Sequence, residues 1–151
     1  MPQWIFVATA YSDYNAGKIE IMMRNMFVEK TWKIGKRTPY RTHIKKEDKV
    51  LFYETGENKK QFVASAVLNS KYIPDDELCG HVLLKNISIF KNPIKIKPLL
   101  KNFKSIKKKK YWGLFFQGGI AKITEKEYQL IISKYRKIDH LKENYFNVIF
   151  K

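Results

Sequence analysis

Apolar and polar positions divide this chain into short blocks of two periods. Trp4-Ile5-Phe6-Val7-Ala8 is a continuous apolar run of strand length and predicts a strand central to a sheet, buried on both faces. It runs into the polar, turn-rich segment 9–17, where folds commonly place ligand contacts. Asp13 or Asn15 is suited to cap the next element. Over 18–28, Ile19, Met22, Met23, Met26 and Phe27 recur at helical spacing, so a short amphipathic helix is expected, with methionines as core filler. Residues 29–46 lack clear periodicity, and Gly35 and Pro39 argue for a loop headed by Trp32. Two apolar runs, 50–55 and 61–68, joined by a polar Gly-containing segment, predict a β-hairpin. Segment 81–90 is a further strand, 95–97 alternates before Pro98, and Pro98 suits the first turn of a short helix. Thr124 and Glu127 form a capping box opening a helix with Tyr128, Ile131, Ile132 and Tyr135 on one face.

Charge changes the picture more than composition does. Thirty basic against 14 acidic residues leave a net charge of +16, which draws polyanions, nucleic acid first and an anionic surface second. No acid lies between Leu78 and Thr124, whereas eleven lysines do, and that asymmetry marks a basic face. At its centre Lys107, Lys108, Lys109 and Lys110 precede Tyr111-Trp112-Gly113-Leu114-Phe115-Phe116-Gln117 and then Gly118-Gly119. Lysines neutralise phosphates without reading sequence, and flat rings accept an unstacked base. The block reads as a surface facing nucleic acid with at least one ring lining a pocket, each single ring having a core role as its alternative. Trp32 is likewise either a pocket wall or core.

Candidate chemistry is sparse. Cys79 is the single cysteine, which excludes an internal disulfide and suits a buried thiol in a reducing compartment. His43, His81 and His140 are far apart and lack metal-ligand spacing. Cys79 and His81 share a strand face, but nothing adjacent supplies an oxyanion hole. No phosphate-cradling motif or cofactor fingerprint occurs. No apolar run reaches the roughly 18 residues of a spanning helix, and the chain opens without a basic leader, so a cytoplasmic protein without membrane contact is expected. A binding module therefore fits better than an enzyme.

The order of these blocks resembles the EVE domain family of the PUA-like superfamily, related to YTH readers of modified bases. The likeness is carried by Trp4–Thr9, by Lys46-Glu47-Asp48-Lys49-Val50-Leu51-Phe52-Tyr53 against a family pattern close to K-G-D-x-V-x-F-Y, and by Phe62–Val67. Pro98-Leu99-Leu100 through Trp112, and Ile120–Tyr128, complete it. Glu47 stands where the family usually has glycine. The resemblance implies an α+β fold, a mixed β-barrel flanked by short helices, with a pocket for a flipped, modified nucleobase. It maps that pocket onto Thr9, Tyr11, Ser12 and Trp32, with Tyr53 and Trp112 as further walls. The neighbourhood of Trp32 departs from the family's W-x-G-V-R-N form, so only the ring carries over.

The resulting expectation is one domain over 1–137, with 138–151 as an extension or a homodimer contact. Its function would be non-catalytic recognition of a methylated base in DNA or RNA, with no cofactor or metal. Lys36, Arg37, Arg41 and Lys107 to Lys110 would hold phosphates. The alternatives are an enzyme acting on nucleic acid, as nuclease or base modifier, and a basic protein-interaction module docking through Tyr145–Phe150.

Overall fold

The computed structural model describes residues 3–8, 16–56 and 59–136, and of residues 16–22 the backbone only. Strand β1 (Gln3–Ala8) is followed by helix α1 (Ala16–Glu29), β2 (Thr31–Gly35), β3 (Lys49–Glu54), β4 (Gln61–Leu68), the two-residue β5 (Ile73–Pro74) and the long β6 (Cys79–Lys95). Two 3-10 helices, η1 (Lys97–Asn102) and η2 (Lys109–Phe116), lead to β7 (Ile120–Ile123). A helix over 125–136, here α2, closes the described chain.

The sheet runs β2-β6-β4-β3-β1-β7, with β5 beside β6. β1 pairs with β3 in parallel and with β7 antiparallel, so the opening apolar run is interior to the sheet. Its side chains alternate between two cores, Trp4, Phe6 and Ala8 on one face and Ile5 and Val7 on the other. β3 repeats the division, with Val50 and Phe52 opposite Leu51 and Tyr53. Double-sided burial is why both strands read as unbroken apolar runs.

The sheet curls into a half-barrel. β6 loses register with β4 twice, around Ser65–Val67 and between Phe62 and Ala64, and Asn86 sits at φ 52° in the first of these irregularities. Such bulges bend a strand and sharpen its twist. Curling brings Trp32 of edge strand β2 to 4.8 Å from Phe52 and 6.2 Å from Phe6, across the concave side. Met23 and Phe27 of α1 plug that side. The convex side is covered by Leu99, Phe103, Ile106, Phe116, Tyr128 and Ile131.

Two local sequence signals are realised in atomic detail. Thr124 Oγ1 accepts from Glu127 N (3.2 Å) and Glu127 Oε1 accepts from Thr124 N (2.8 Å), the reciprocal capping box. Glu127, buried, also accepts from Ser105 N and Oγ, tying α2 to the segment between the 3-10 helices. Glu47, in the family's glycine position, adopts φ 77°. The next residue, buried Asp48, accepts from Trp4 Nε1 and from Lys45 N, both at 2.9 Å, which is what makes an interior carboxylate tolerable.

Three expectations need correction. Residues 31–35 form a strand, because Trp32 and Ile34 point inward while Lys33 and Gly35 are exposed. The strand expected at 81–90 extends over Cys79–Lys95. Cys79 is half-buried, with β6 just beginning there. Asp13, Asn15 and the segment 138–151 lie outside the described residues.

Candidate nucleic-acid interface

The convex face carries the candidate site. Over Tyr53 the cover is η2, and between β3 and η2 lies a cavity of about 450 Å³, open to solvent. Its lining is Tyr53, Thr55, Lys60, Lys110, Trp112, Gly113, Phe116 and Gln117. That volume falls within the range of small-molecule sites.

Each wall has a local cause. Tyr53 reaches the convex face by strand alternation, and Phe116 stacks on it at 4.0 Å and 11°. Phe116, buried, anchors η2; Trp112 and Phe115 meet it edge-on at 6.2 and 5.2 Å. Trp112 stays half-buried, and Lys60, across the β3–β4 hairpin, holds its ammonium 5.4 Å from the indole centroid. Burial pushes the Tyr53 phenol well above its ordinary value, so it remains a neutral hydroxyl, donor and acceptor at once. Gln117 adds an amide. The cavity thus offers flat apolar walls, two cations and uncharged hydrogen-bonding groups.

The rim connects to the other expected residues. Thr55 donates from N (3.1 Å) and Oγ1 (3.2 Å) to Ala8 O, so the end of β1 lies beside the cavity. Thr9, Tyr11 and Ser12 themselves lie outside the described residues. Beyond Gln117 the chain turns at Gly119 (φ 87°), whose carbonyl accepts from Val7 N at 2.8 Å. Side chains added at Gly118 or Gly119 would meet Pro39 or Thr38 at 3.3 Å, so the glycine pair seats the 36–41 loop. Lys36 and Arg37 stand exposed on that loop, and Arg41 bonds Thr38 O at 3.1 Å.

Two expected site residues are placed elsewhere. Trp32 is 5% exposed and packs among Phe6, Phe27 and Phe52 on the concave face, opposite the cavity. Lys109 turns its ammonium back onto the carbonyls of Phe103 and Ile106, which removes it from the outward basic row. Lys107, Lys108 and Lys110 remain exposed. Sequence reasoning missed Lys60 and Thr55, although hairpin pairing of Tyr53 with Phe62 sets them at the same end of the hairpin. Among the described residues, no group of three or more His, Cys, Asp or Glu side chains could hold a metal ion. No described helix is long and apolar enough to cross a membrane.

A family model of the EVE domain matches residues 4–134, nearly the whole chain. The chain belongs to the EVE domain family. Solved structures agree on the PUA-like fold of this EVE domain. A hypothetical protein from Leishmania major superposes with a TM-score of 0.63 at 13% identity, over 92% of this chain and 97% of that one. Human THYN1, solved in complex with DNA containing 5-methylcytosine, gives 0.61 at 13% identity over 89% and 98%. Atu2648 from Agrobacterium tumefaciens gives 0.59 at 14% over 89% and 93%. None of the curated proteins matches the chain.

Proposed function

We propose that this EVE domain is a non-catalytic module that binds DNA carrying a modified base, and that the cavity beside Trp112 receives that base once it leaves the helix. The observation that carries the reading is one place that combines a half-buried ring open to stacking (Trp112), an aromatic floor (Tyr53, Phe116), cations (Lys60, Lys110) and neutral polar groups (Tyr53, Gln117) around 450 Å³ of space. The complex of THYN1 with 5-methylcytosine DNA supports methylated cytosine as the first base to try.

Magnitudes favour entry of a base. An exposed cation–π contact such as Lys60 on Trp112 is worth about 0.5–1 kcal/mol. A base stacked on an aromatic gains about 1–3 kcal/mol, enough to displace the ammonium toward a phosphate. Extrusion costs a few kcal/mol, which stacking, phosphate contacts and edge hydrogen bonds together offset. Lys36, Arg37, Arg41, Lys107, Lys108 and Lys110 would hold the backbone, and Thr9, Tyr11 and Ser12, which follow Ala8 in sequence, would read the base edge. Discrimination between methylated and plain bases then lies in the cavity, because phosphate contacts carry no sequence information.

Fluorescence anisotropy with a labelled duplex bearing one 5-methylcytosine, beside its plain twin, tests this at two salt concentrations. The expected result is tighter binding of the methylated duplex at both, with affinity for each falling steeply as salt rises. Equal affinity for the two duplexes would overturn base recognition, and cleavage or conversion of the strand with added divalent metal would overturn a non-catalytic role.

A further inference from the structure

Helix η2 has a second face that the cavity leaves unexplained. The cavity takes Lys110, Trp112, Gly113 and Phe116 from this helix. Tyr111 and Leu114, outside the cavity lining, project into solvent, 56% and 59% exposed. The backbone kinks at Tyr111 (φ −116°, ψ 40°), and the Lys110 ammonium lies 5.7 Å from its ring. Lys107 and Lys108, both exposed, precede the pair. Gly113, between the two, is bounded by nothing: a Cβ there would meet no atom within 4 Å, and its φ is not positive. Neither packing within the protein nor backbone conformation calls for glycine at that position, whereas a ligand chain passing closely over it would.

We propose that Tyr111 and Leu114 form a wedge that enters the base stack of duplex DNA and fills the gap left when a base moves into the neighbouring cavity. The inference rests on the reading of that cavity as a base site. Apolar side chains inserted between base steps recur where proteins unstack a duplex, and the flanking lysines supply the charge that brings phosphates to this helix. The two exposed apolar groups stand three residues apart, on either side of Gly113, on a segment anchored by buried Phe116, and present an apolar edge of the right kind. Gly113 leaves the sugar-phosphate strand room to cross from wedge to cavity.

The test compares the parent protein with the Tyr111→Ser/Leu114→Ser variant on one methylated oligonucleotide, single-stranded and in duplex. Both side chains are exposed, so thermal melting should be unchanged; the single variant Leu114→Asn serves if the double one melts early. The variant should lose about tenfold in duplex affinity and keep its single-strand affinity within about twofold, because a single strand has no gap to fill. A 2-aminopurine placed opposite the methylated base should brighten on binding the parent and brighten less with the variant. Equal losses on both substrates, or no loss on either, would overturn the wedge while leaving base recognition standing. A parent without preference for the methylated base would remove the reading beneath it, and the wedge with it. Binding to vesicles rich in phosphatidylserine that falls in the variant, with duplex affinity unchanged, would assign the two residues to a membrane surface and overturn the proposal.

Discussion

The two faces of the sheet carry the same kind of residue in opposite settings. On the concave face Trp32 is sealed among Phe6, Phe27 and Phe52; on the convex face Trp112 leans on Phe116 with one flank open to a cavity. The difference comes from what holds each ring. Trp32 is fixed by strand alternation in β2, which drives it inward. Trp112 sits on a short 3-10 helix anchored by one buried neighbour, which leaves its own ring half-buried. An aromatic ring becomes available to a ligand when another side chain does the anchoring.

Substitutions should separate the two rings. Trp32→Ala empties part of a closed core and should cost about 3–5 kcal/mol in chemical denaturation. Trp112→Ala should cost much less stability, and should weaken methylated-duplex binding by roughly tenfold or more, in line with a stacking gain of about 1–3 kcal/mol. The reverse assignment, with Trp32→Ala folding normally and losing base preference, would invert the comparison.

Gly113→Val sharpens it from the ligand's side. With open space around that position, the variant should fold as the parent does, while crowding the cavity mouth enough to lower methylated-duplex affinity severalfold. Lys60→Gln and Lys110→Gln should each reduce the slope of log affinity against log salt by about 1 and weaken plain and methylated duplexes alike. Lys109→Gln should leave that slope unchanged and lower the melting temperature, since its ammonium holds the Phe103 and Ile106 carbonyls.

Smaller effects concern the scaffold. Glu47→Gly relieves a left-handed conformation at φ 77° and should stabilise by about 1 kcal/mol, less whatever the exposed pair with Lys85 contributes. Tyr53 offers a pH test. Its folded-state pKa is raised above the ordinary 10.0, so stability should hold through neutral pH and fall as pH climbs past about 10, where the unfolded chain releases the proton first. Tyr53→Phe should reduce that alkaline loss, as read from melting curves, and leave the part due to Tyr128, whose phenol is also pushed up by burial.

Much of the fold was legible in the sequence. The apolar runs of β1 and β3, the hairpin, and the Thr124–Glu127 box all announce themselves locally, and each is built as its pattern implies. β2 was hidden because five residues, Thr31 to Gly35, make too short an alternation to stand out ahead of the breakers Gly35 and Pro39. The extent of β6 was hidden because its bulges break the period of two. For the site, the block from Lys107 to Gln117 could be read as aromatic and cationic, but not which rings face outward. That depends on Tyr53 and Phe116 meeting across the sheet, a contact 63 residues apart that no local pattern encodes. The inward turn of Lys109 spans only three to six residues, yet no pattern of residue types encodes it, since it answers carbonyls exposed by the chain's path after η1.

The most direct measurement is the ratio of affinities for methylated and plain duplex, taken for the parent and for Trp112→Ala under the same salt. The expected ratio is above one in the parent and collapses to one in the variant, with plain-duplex binding largely retained through the lysines. A ratio that survives the loss of Trp112 would place base recognition elsewhere and contradict the account.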